Sequence, residues 1–95
     1  MSMIQTHGAA ASRLALSLAV TPATERATAA ASLTPRERQC LILLAHGATD
    51  EEIASALFIR HATVRFHLDG ARRKFAARSR AHLAALAVAT EVVRL

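Results

Sequence analysis

The chain has no Trp and no Tyr, and only three Phe and one Cys in 95 residues. Each shortage excludes something. With Cys40 as the single thiol, no disulfide can form within the chain. A lone cysteine inside an apolar helix reads as a buried structural thiol. With so few aromatics the core must be Leu, Ile, Val and Ala, which suits packed helices. No apolar run reaches the roughly 18 residues that a membrane span needs. Residues 14–20, LALSLAV, are apolar, but the run is short and only Arg13 precedes it as a charge, so it does not read as a signal peptide. A cytoplasmic protein is the default expectation. The five His and one Cys show no metal-ligand spacing. There is no Gly-rich phosphate loop and no nucleophile with a base at usable spacing. No metal, no cofactor and no enzymatic activity are expected.

What is present is positive charge, unevenly placed. The formal net charge is +5. Seven of the twelve Lys and Arg fall between Arg60 and Arg80, opposed there only by Asp69. Three acids gather instead at Asp50, Glu51 and Glu52. The length fits one domain. A core this small is marginal alone, so added stability from a bound partner is expected.

The chain divides in character near residue 33. Residues 1–32 are rich in Ala, Ser and Thr and read as a poorly ordered or partly helical arm or linker. A short helix over 9–20 is the candidate element there, with Ala11, Leu14 and Leu18 on one side. Residues 33–95 read as helical throughout. Thr34-Pro35-Arg36-Glu37 has the form of a capping box with Pro at the first helical position. It starts a helix expected to run to about His46, with Gly47 as its left-handed cap. Glu37, Cys40, Leu41 and Leu44 share one side. Thr49-Asp50-Glu51-Glu52 repeats the box, with the acids where the helix dipole favours them. Ile53, Ala54 and Leu57 form the buried face of this second helix. Phe58-Ile59-Arg60 makes a turn, with Ile59 plugging the core.

The third helix is expected over about 61–75. Val64, Leu68, Ala71 and Phe75 line one side of it. Arg65, Phe66, Asp69, Arg72 and Arg73 fall in an arc of about 120° on the other. Ser79 caps a fourth helix expected over about 80–94. That helix is apolar over more than one stripe and needs two surfaces to bury.

LTPRERQCLILLAHGATDEEIA, TVRFHLDGARRKF and ARSRAHLAALAVA together resemble the DNA-binding domain of LuxR/GerE-type regulators. The stretch TVRFHLDGARRKF looks most like the quorum-sensing branch. The resemblance covers about residues 33–93. It implies an all-α, four-helix helix-turn-helix domain, with the third helix in the major groove of double-stranded DNA and the fourth pairing two copies. Two positions depart from the family pattern. Phe58 and Ala76 stand where the family usually has Gly, so a left-handed backbone there would be strained. A third departure is Arg60, which stands where a Ser or Thr cap is common.

Carried over position by position, the resemblance makes Arg65, Phe66 and Asp69 base-facing. It assigns Thr49, Thr63, Arg72, Arg73 and Lys74 to phosphates, and Ala85, Val88, Ala89 and Val92 to dimerisation. The chemistry agrees. Arg65 can fork onto O6 and N7 of guanine. Asp69 can accept from cytosine N4 or orient Arg65 by an ion pair. Phe66 can touch a thymine methyl or pack against the second helix. The expected function is a sequence-specific DNA-binding transcription regulator acting as a dimer. The alternative is an interaction protein that pairs with a full-length relative and inhibits it.

Overall fold

The computed structural model describes residues 23–94, and the helix expected over 9–20 lies outside them. Five helices follow one another: α1 (Ala23–Ala31), α2 (Pro35–Ala45), α3 (Asp50–Leu57), α4 (His61–Phe75) and α5 (Arg80–Ala89). The described residues contain no strand. The four helices read from the sequence are α2 to α5.

Local signals set where α2 and α3 begin. The Thr34 amide donates to Glu37 Oε1 at 2.9 Å, and the Glu37 amide donates to Thr34 Oγ1 at 3.1 Å. Thr49 and Glu52 repeat the pair at 2.9 and 3.2 Å. Each box satisfies two amides that a helix start otherwise leaves free. α2 ends at Ala45 with His46 as cap, and Gly47 then takes φ 92°. Ser79 caps α5 by accepting from the His82 amide. α4 alone among these four helices has no side-chain cap, because Arg60 stands at its cap position.

The helices close over two apolar clusters, and α4 serves both. Its first half places Val64 and Leu68 with Cys40 and Ile53. Leu57 and Ile59 pack against that cluster from the side, so Ile59 does plug the core. Its second half places Ala71 and Phe75 with Leu41, Leu83, Leu86 and Ala87. The whole expected apolar side of α4 is therefore buried.

Two features differ in detail from expectation: where the arm, read as poorly ordered or partly helical, forms a helix, and where α5 ends. The segment assigned to the arm contains α1, which lies against α4 and sends Ala29, and Leu33 after it, into the second cluster. An Ala- and Thr-rich run gives little amphipathic signal, so tertiary contact decides this helix. The second difference is the end of α5, at Ala89 rather than near residue 94. The Thr90 hydroxyl donates back to the Leu86 carbonyl at 2.8 Å, and Glu91 turns left-handed at φ 58°. The Val93 amide then reaches the Ala87 carbonyl at 3.2 Å, and Val93 is buried. Burying a Val is worth roughly 1.5–3 kcal/mol, against about 1–2 kcal/mol for a left-handed non-glycine residue. Burial wins, and the helix stops to allow it.

Candidate nucleic-acid interface

α4 is held on its inner side by α1, α2, α3 and α5. What remains outside is the basic face. Arg65, Phe66, Asp69, Arg72 and Arg73 are all exposed, as the helical arc requires. The geometry bears on the alternatives read for Phe66 and Asp69. Phe66 keeps 67% of its surface exposed, and among the described residues its aromatic neighbour is the His67 ring, edge-on with centroids 5.5 Å apart. It does not pack into the α3 flank. Asp69 and Arg65 form no ion pair: among the described residues the pairs are Lys74–Glu37, Arg80–Asp50 and Arg94–Glu91. Both side chains on the outer face are thus free of each other.

The remaining cations sort by what holds them. Arg72 donates through Nε to the Ala77 carbonyl at 3.2 Å, which closes the end of α4 and leaves its other N–H groups available. Arg72 and Arg73 line a shallow open groove with Asp69, Ala76 and Ala77. Lys74, expected at a phosphate, sits differently from its neighbours: its ammonium lies 2.6 Å from Glu37 Oε1 and donates to the Ser32 carbonyl at 2.8 Å. Its side chain is about one third exposed. The cause is Glu37, a carboxylate buried to 7% exposure, whose ion-pair partner among the described residues is Lys74.

Sequence reasoning placed Glu37 on the inner side of α2 but gave it only a capping role. Burial pushes its carboxyl up, but the Lys74 ammonium and the Thr34 amide outweigh that and hold it below the usual range. The available signal was Gly70, an unexplained glycine within a helix. A Cβ there would overlap Glu37 Oε2 and come within 3.2 Å of its Cδ.

The two threonines differ in setting. Thr49 is exposed, but its amide and hydroxyl are both engaged with Glu52 and three acids occupy the first turn of α3. One of them, Asp50, is paired with Arg80. The Thr49 hydroxyl keeps its own proton to donate. Thr63 is half-buried in a first turn without acids. Anions bind helix starts best where free amides are not already opposed by carboxylates.

The four residues assigned to dimerisation divide. Ala85, Val88 and Ala89 are exposed on α5, opposite the buried Leu83, Leu86 and Ala87. Val92 lies past the end of α5 and packs against the domain's own core. It does not continue the stripe. Phe58 and Ala76, the two departures in the turns, are both left-handed, at φ 56° and 52°.

A pair of capped helices, a turn and a longer helix with a free basic face have a match among known proteins. The family model described as bacterial regulatory proteins, luxR family, matches residues 31–87. The chain belongs to the LuxR family. It is 40% identical over 76 residues to the transcriptional activator protein TraR of Agrobacterium vitis, covering 80% of this chain and 31% of that protein. It is 40% identical over 70 residues to TraR of Rhizobium radiobacter, covering 74% of this chain and 30% of that one. It is 46% identical over 48 residues to the spore germination protein GerE of Bacillus subtilis, covering 50% of this chain and 65% of that one. This LuxR-family chain thus spans less than a third of the length of the two TraR proteins. No solved structure matches it.

Among the described residues no helix is long and apolar enough to cross a membrane, and no three His, Cys, Asp or Glu gather as a metal site.

Proposed function

We propose that this LuxR-family chain binds double-stranded DNA sequence-specifically, as a dimer, and regulates transcription. α4 enters the major groove, and the exposed face of α5 pairs two copies. The observation that carries this is the outer face of α4. Five side chains there project from a helix locked on its inner side, and Arg65 and Asp69 form no ion pair among the described residues. Free donors and acceptors on a rigid helix are what base reading requires.

In this reading Arg65, Phe66 and Asp69 meet base edges. Arg72, Arg73 and Thr63 meet phosphates, with the Thr49 hydroxyl as a further donor. Ala85, Val88 and Ala89 form the contact between copies, and their small size lets two helices approach closely. The likeness to TraR, a transcriptional activator by its description, supports regulation of transcription as the outcome. The same α5 stripe would also serve pairing with a related regulator, and size measurement with and without DNA separates the two uses.

The test is selection from a random duplex pool with the purified chain. An enriched, twofold-symmetric motif supports the reading, and no enrichment at moderate salt removes it.

A further inference from the structure

Three helices meet at one polar point in this small domain. Glu37 of α2 is buried against Gly70 of α4. Lys74, one turn further along α4, pairs with Glu37 at 2.6 Å and donates to the Ser32 carbonyl at 2.8 Å. Ser32 directly follows α1, and Arg38 of α2 donates to the Ala30 carbonyl at 3.0 Å. Two cations therefore donate to carbonyls at the end of α1 and just past it, at Ala30 and Ser32. One of these cations sits on the helix that carries Arg65 and Asp69.

We propose that Lys74 is a positioning residue: it sets where α4 presents its outer face by tying that helix to Glu37 and to the end of α1, and it does not act through a phosphate. Three observations carry this. The ammonium is committed to two internal acceptors. Gly70 removes the side chain that would keep the Glu37 carboxylate off the helix. The carboxylate also belongs to the capping box that fixes the start of α2, so a shift at this point moves α2 and α4 together. A side chain that acts this way affects discrimination between sequences more than overall attraction to DNA.

The inference rests on the proposed DNA binding, and its test keeps the two apart. Specific and non-specific duplex binding are measured over a range of salt, on wild type, Lys74→Gln, Glu37→Gln and the double variant, each at a temperature where melting shows it fully folded. Gln at 37 retains the capping acceptor. Both single variants are expected to lower the specific-to-non-specific ratio by a factor between about two and thirty. The salt slope should stay as in wild type, and the double variant should be no worse than either single one. Gly70→Ala, which changes no charge, should reproduce the loss, and Lys74→Arg should restore most of the ratio.

A phosphate contact would give another pattern: Lys74→Gln weakens all sequences alike, the slope falls by about 0.9, and Glu37→Gln is harmless or tightens binding. A purely structural role would lower the melting temperature and leave the ratio unchanged. Either pattern overturns the proposal. Lys74–Glu37 coupling is also measured by melting the four proteins without DNA. Absence of coupling in a chain that binds DNA removes the positioning role alone. A wild-type chain that selects no sequence removes the DNA reading, whatever the coupling.

Discussion

Glu37 occupies the space a side chain on Gly70 would fill: a Cβ there would overlap Glu37 Oε2 and lie 3.2 Å from Cδ. Gly within a helix costs about 1 kcal/mol relative to Ala, so this glycine is retained against local preference. Gly70→Ala should bring no stability gain in the wild-type chain, because Glu37 must leave Lys74. In a Glu37→Ala background the same change should stabilise by about 1 kcal/mol. Urea melts of the four proteins measure this, and an equal gain in both backgrounds would refute the steric account.

Phe58 and Ala76 hold left-handed backbone at two turns, and both side chains are exposed, Phe58 to 94%. Little packing is lost by removing them. Phe58→Gly and Ala76→Gly should each stabilise by about 1 kcal/mol. They lie in separate turns, so the gains should add. Thermal melting of the single and double variants checks both statements.

Those two strained turns were legible in the sequence only through the family pattern, because nothing local distinguishes Phe58 or Ala76. The starts of α2, α3 and α5 were legible from residues alone, since Thr34, Thr49 and Ser79 act within three positions. The outer face of α4 followed from helical period, and all five of its residues are exposed. The rest depended on distant partners. α1 forms where Ala29 meets the core, and α5 stops where Val93 can be buried. Lys74 looks identical in sequence to its neighbours Arg72 and Arg73. Its different setting comes from a carboxylate 37 positions earlier.

The Glu37 pair also has a pH signature. Despite burial, Lys74 and the Thr34 amide hold the folded carboxyl below its usual value. A lowered folded value means stability that is complete above the unfolded value, about 4.3, and lost as pH falls through the folded one. Wild type should therefore exceed Glu37→Gln in stability at neutral pH, and the difference should shrink below about pH 4. A difference that stays constant down to acid unfolding would contradict the ion pair as its source.

Cys40 is fully buried, and burial pushes its thiol above the usual range. The thiolate is the reactive form. Thiol reagents at pH 7–8 should label the native chain slowly and the denatured chain at once. Rapid native labelling would place Cys40 outside the core.

α5 should carry the contact between copies on Ala85, Val88 and Ala89. Val88→Asp should abolish any dimer while leaving the fold intact, because Val88 is 39% exposed and lies opposite the buried Leu83 and Leu86. Sedimentation gives the size, and circular dichroism the helix content. A dimer that survives Val88→Asp would move the contact elsewhere.

Whether the outer face of α4 reads DNA is tested by selecting bound duplexes with wild type and Arg65→Ala in parallel. Wild type should enrich two symmetric half-sites about one DNA turn apart, centre to centre. Arg65→Ala should lose preference at one base position in each half-site, by roughly 1–3 kcal/mol, and keep the others. No enrichment by wild type, or the same motif from both proteins, would contradict DNA reading by this face.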